Sequence, residues 1–62
     1  MKRRELVAHL RAHGCVMLRE GAKHTVFHNP SSRLSSTMPR HTEIEEFLAR
    51  KICRDLGIPF LV

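Results

Sequence analysis

Apolar residues along the chain recur with two different periods. From Lys2 to His13, Leu6, Val7 and Leu10 return at helical spacing, while Lys2, Arg3, Arg4 and Arg11 can point elsewhere. Gly14 stops that helix as a left-handed cap. Cys15 to Glu20 is short and apolar until Arg19, which suits a strand, and Gly21 and Ala22 make the turn. A second strand is predicted from about Lys23 to His28. Its period of two places His24, Val26 and His28 on one face and Thr25 and Phe27 on the other. Asn29-Pro30-Ser31-Ser32 is a loop signal. Leu34 to Met38 can form a short third strand, and Pro39, which cannot donate to a ladder, ends it or marks an edge.

Thr42-Glu43-Ile44-Glu45 has the capping-box pattern, so a second helix is predicted from Thr42 to about Leu56. Its apolar stripe is Ile44, Phe47, Leu48, Ile52 and Leu56. Its first turn is acidic, and Arg50, Lys51 and Arg54 match the dipole near its end. Gly57 and Pro59 stop it. The order α-β-β-β-α, without repeat or linker, predicts one α+β domain over residues 1–62. Its economical form is a three-stranded antiparallel sheet with both helices packed on one face.

Size sharpens this picture. A chain of 62 residues buries only about 60% of the surface its unfolded form exposes. The core is thin, and a partner that covers apolar surface would add stability by mass action. Eleven Lys and Arg against six Asp and Glu give a net charge of +5 before any of the five histidines protonates. Such a surface favours polyanions, although charge alone does not separate RNA from DNA or an acidic protein, and some of it simply solvates the fold. Cys15 and Cys53 lack metal or redox spacing and sit in apolar stretches. They read as small buried hydrophobes in a reducing compartment. No apolar run approaches the roughly 20 residues needed to cross a membrane, so a soluble, cytoplasmic protein is expected.

The order of elements, together with Arg4-Glu5-Leu6, Gly14, the segment Arg19 to His24, Pro39-Arg40-His41, and Leu48 to Ile52 leading to Gly57-Ile58, resembles the HicA toxins of toxin–antitoxin pairs. The likeness covers nearly the whole chain. It implies a fold like that of double-stranded-RNA-binding domains, cleavage of mRNA without a metal or other cofactor through one histidine, and silencing by a HicB antitoxin. The family's histidine follows the tight turn after the first strand in a Gly-Ser-His or Gly-x-His context. The matching position is His24, with Ala22 and Lys23 where many members carry Gly and Ser.

Metal-free RNA cleavage needs a base for the 2′-hydroxyl proton, positive charge on the phosphorane as it forms, and an acid for the leaving 5′-oxygen. Histidine suits the first task because imidazole ordinarily titrates near pH 6.5. Lys23, Arg19 and Arg40 are candidates to hold the scissile phosphate, each also readable as a solvated cation. His41 and His28 are accessory candidates for the acid. His41 just precedes the predicted helix cap, and His28 shares a strand face with His24. His9 and His13 stand four apart on the first helix at metal-ligand spacing, but no third ligand is evident and no metal site is predicted. Lys2-Arg3-Arg4 either contacts phosphates or solvates its helix. Phe27, Phe47 and Phe60 are the only large aromatics, with Phe47 expected in the core, so base stacking is poorly provided for.

Two other readings share the fold and the charge. A non-catalytic RNA-binding module would hold structured RNA by shape and phosphate contacts and would not need His24. A protein-interaction domain is suggested by the apolar tail Phe60-Leu61-Val62, which could dock on another chain.

Overall fold

The computed structural model describes residues 1–60. Helix α1 (Arg3–Ala12) is followed by strands β1 (Val16–Glu20), β2 (His24–Asn29) and β3 (Leu34–Pro39) and by helix α2 (Glu46–Leu56). The strands pair antiparallel in the order β1-β2-β3, with β2 central. Both helices cover one face of the sheet, the α+β arrangement expected. The alternation in β2 is as predicted: Thr25, Phe27 and Asn29 are buried, whereas His24 is exposed and Val26 and His28 are half-buried. Leu6 and Leu10 of α1 meet Phe27 and Met38 of the sheet and Ala49, Ile52, Cys53 and Leu56 of α2 in one core. The buried free thiols Cys15 and Cys53 belong to it, and burial pushes both thiols up.

The second helix departs from expectation at its start. It begins at Glu46 instead of Thr42, and Thr42 to Glu45 forms no capping box. These residues run extended against the N-terminal segment. The Arg3 amide donates to the Thr42 carbonyl at 2.8 Å, and Ile44 and Met1 exchange two bonds of 2.8 Å. Amides that a cap would serve are therefore spent on strand-like pairing. The Lys2 ammonium, 3.0 Å from Glu43, hydrogen-bonds that carboxyl and holds it below its ordinary value.

The buried stripe of α2 is Ala49, Ile52, Cys53 and Leu56, with Leu48 beside it. Phe47, expected in the core, is 74% exposed. At 3.6 residues per turn it stands about 200° around the helix from Ala49, so it points away from the sheet. Ile44 does reach the core, but from the extended segment.

Glycine ends both helices as predicted. Gly14 follows α1 with φ +85°, and Gly57 caps α2 with φ +73°, conformations that other residues adopt only with strain. The β2–β3 loop completes the second cap. The Asn29 side-chain amide and the Ser32 hydroxyl both donate to the Leu56 carbonyl, at 2.8 and 3.0 Å. Of the apolar tail, Phe60 packs against the core edge beneath the Arg50 guanidinium, 4.6 Å from the ring centre. Leu61 and Val62 lie outside the described residues.

Candidate functional site

The candidate site is built around the turn that joins β1 to β2. The Gly21 amide donates to the His24 carbonyl at 2.7 Å, closing the chain over Ala22 and Lys23. This turn requires no positive φ. Among the described residues Arg33 is the only non-glycine with one, so Ala22 sits where it does without backbone strain. His24 then opens β2 opposite Pro39, and the Arg40 amide reaches back to the Lys23 carbonyl at 3.2 Å. That pairing delivers Pro39-Arg40-His41 to the flank of His24.

A bulge in β1 sets what stands on the other side. Met17 pairs with Phe27, but the next pair is Arg19 with Val26, so Leu18 is the extra residue. Directly paired residues share a face, so the shift turns Arg19 to the open face with Val26 and His24. It also turns Glu20, paired with Thr25, toward the helix side.

Two adjoining open concavities result. The first, about 430 Å³, is lined by Arg19, Lys23, His24, Val26 and Thr37 with the turn residues. The second, about 420 Å³, is lined by Ala22, Lys23, His24, Pro39, Arg40 and His41. The structure thus brings His24 and Lys23 together with Arg19 on one side and with Arg40 and His41 on the other. His28 is not among them. It lies four residues along β2, about 13 Å at strand rise, beyond Val26, with Nδ1 2.8 Å from the Ser35 hydroxyl.

One network was not anticipated from the sequence. Glu20 Oε2 lies 3.2 Å from Arg40 Nε and 4.0 Å from Arg3 Nη2, and Arg40 Nη1 donates to the Gly21 carbonyl at 3.1 Å. Arg3 itself turns inward, donating to the buried Thr25 hydroxyl at 2.8 Å and to the Pro39 carbonyl at 3.3 Å. It therefore braces the ends of β2 and β3 and is not a free phosphate contact. Lys2 is paired with Glu43, and Arg4 remains exposed. The available signal for this network was that Glu20 is the only acidic residue between Glu5 and Glu43.

Elsewhere, His9 and His13 meet edge to face with ring centres 4.6 Å apart, and His9 Nε2 lies 2.7 Å from the Pro59 carbonyl. No third metal-ligating side chain joins them among the described residues. No described helix is long and apolar enough to cross a membrane.

The model of the family described as the HicA toxin of bacterial toxin–antitoxin systems matches residues 3–58. The chain belongs to the HicA toxin family. No curated protein and no solved structure gives a match. A HicA toxin is one half of a pair, so membership brings a toxin role and an antitoxin partner with it. The matched span of this HicA chain contains the whole β1–β2 turn, both concavities and the Glu20 network.

Proposed function

We propose that this HicA toxin is a metal-independent endoribonuclease that cuts mRNA in the cytoplasm, with His24 as general base, and that a HicB-like antitoxin silences it by covering the same basic face. The observation that carries the reading is the junction of the two concavities. An exposed imidazole stands there between Lys23 and Arg19 on one flank and Arg40 and His41 on the other.

A phosphodiester laid across that junction has its 2′-hydroxyl toward His24. The imidazole takes the hydroxyl proton, the 2′-oxygen bonds to phosphorus, and the bond from phosphorus to the 5′-oxygen breaks. Lys23, Arg19 and Arg40 supply positive charge where the phosphorane gathers its negative charge. His41, lining the same concavity as His24, is the group best situated to return a proton to the leaving 5′-oxygen. The products are a 2′,3′-cyclic phosphate and a 5′-hydroxyl. DNA, without the attacking group, is not cut.

The test is His24→Ala. Loss of a general base lowers the rate about 10² to 10⁴-fold, and the variant should melt like the parent because the side chain is exposed. Cleavage by the parent should survive EDTA and leave the cyclic phosphate. A His24→Ala protein that cuts as fast as the parent removes the site assignment. A parent that binds RNA without cutting it is a binding module instead.

A further inference from the structure

We propose that Glu20 is a positioning residue for the His24 site: its carboxylate fixes the Arg40 guanidinium so that the remaining N–H edge faces the phosphate. This rests on the ribonuclease reading above.

A carboxylate beside a surface built for a polyanion repels the substrate, so its presence needs a compensating use. Five of the six acidic residues lie outside the basic stretch, in α1 or between Glu43 and Asp55. Glu20 alone is placed at the turn that carries Lys23 and His24. The bulge at Leu18 turns it away from the open face and toward Arg40 and Arg3.

Arg40 is then held at two points of the turn: Nη1 donates to the Gly21 carbonyl at 3.1 Å, and the Glu20 carboxylate pairs by charge with the Nε side of the guanidinium at 3.2 Å. A guanidinium carries five N–H donors in a rigid plane. One hydrogen bond and one ion pair restrain that plane, and Nη2 makes no hydrogen bond among the described residues, on a side chain that lines the concavity shared with His24 and His41. Without the carboxylate, Arg40 keeps its charge but loses its orientation, and only orientation distinguishes a group that stabilises the transition state from one that merely attracts RNA.

The test separates the two. With the purified toxin and a labelled RNA oligonucleotide carrying a site that the parent cuts, Glu20→Ala should lower kcat by about ten- to a hundredfold. KM should stay level or fall by a few-fold, since a repelling charge is gone. Glu20→Asp keeps a carboxylate to pair with Arg40 and should restore most of kcat, whereas Glu20→Gln, without the charge, should not. Arg40→Lys should not, because one ammonium cannot bridge both turn contacts and the phosphate. The double variant Glu20→Ala/Arg40→Ala should be no slower than Arg40→Ala alone. Independently of activity, the Arg40 Nη–H signal in the NMR spectrum should be resolved in the parent and in Glu20→Asp, where the restrained guanidinium keeps its bond to the Gly21 carbonyl, and lost in Glu20→Ala.

Equal or faster cleavage by Glu20→Ala with KM reduced would mean that Glu20 only repels RNA, and the positioning claim falls while the ribonuclease reading stands. An Arg40 signal unchanged in Glu20→Ala overturns the claim as well, without reference to cleavage. If the parent cuts no RNA, the ribonuclease reading falls and the positioning claim falls with it.

Discussion

The two hairpin connections of this small domain are built for opposite ends. The β2–β3 loop, Pro30 to Arg33, is committed to the fold. Buried Asn29 spends its amide on the Leu56 carbonyl and its oxygen on the Ser31 amide, Ser32 adds a second bond to Leu56, and Arg33 takes a left-handed backbone to close the loop. The β1–β2 turn, over Ala22 and Lys23, caps nothing. It is exposed and is held by the Gly21–His24 and Arg40–Lys23 backbone bonds, by Arg40 Nη1 on the Gly21 carbonyl, and by ion pairs among partly exposed side chains. The first loop is fastened chiefly through the buried Asn29 amide, whose loss leaves the Leu56 carbonyl with only the Ser32 hydroxyl. The second is fastened at the surface, where each contact adds little to stability even as it sets where Arg40 points. A thin core can therefore fasten one end firmly while the other leaves its cations and imidazoles open to solvent.

The largest expected break in this comparison is on activity. His24→Ala should remove about 3 to 5 kcal/mol of transition-state stabilisation with the melting temperature unchanged. A joint loss of folding would show that the turn is structural after all.

Asn29→Ala should do the reverse, costing about 1 to 3 kcal/mol in urea unfolding by leaving a buried carbonyl short of a donor. Cleavage per folded molecule should be unaltered. The same core logic makes Phe27→Ala worth about 3 to 5 kcal/mol in the same unfolding measurement, enough to threaten a chain of this size.

Arg33→Gly tests the loop from the favourable side. Relief of a left-handed non-glycine residue is worth about 1 kcal/mol, reduced by the extra freedom glycine gains in the unfolded chain. A small rise in unfolding midpoint is expected, and a fall would mean that the Arg33 side chain contributes more than its backbone costs.

Acid sharpens the contrast further. The Lys2 hydrogen bond holds Glu43 below its ordinary value, and the Lys51 hydrogen bond does the same for Asp55, which Ser36 assists. A depressed carboxyl stabilises the fold above its ordinary value, and that contribution is lost as pH falls through the folded-state value. Both groups hold down the helix layer, Glu43 at the N-terminal pairing and Asp55 at α2. Glu43→Gln with Asp55→Asn should flatten the fall in melting temperature below about pH 4, the usual carboxyl range. Smallest of all, Phe47→Ser should change stability by no more than about 0.5 kcal/mol, since the ring is already in water.

Much of this was legible in the chain itself. Leu6 and Leu10, the alternation through Thr25 and Phe27, and the stops at Gly14 and Gly57 depend on local periodicity and on backbone conformations that only certain residues tolerate. They specify the five elements and the faces that α1 and β2 bury. The position of His24 at the head of β2 follows from the same alternation once the turn is placed.

What sequence alone did not decide were matters of pairing between distant segments. Whether Thr42 to Glu45 caps a helix or lies against residues 1–3 depends on where the N-terminal segment docks, and with it went the assignment of Phe47 to the core. The extra residue at Leu18 decides which face Arg19 and Glu20 occupy, and a bulge has no local signature in an apolar run. The Glu20, Arg40 and Arg3 network joins a strand end, a β3 exit and a helix start, whose proximity exists only after the sheet and α1 have packed. Short-range preference determines which elements form. Register and docking, set by contacts between residues far apart in sequence, determine which side chains share the site.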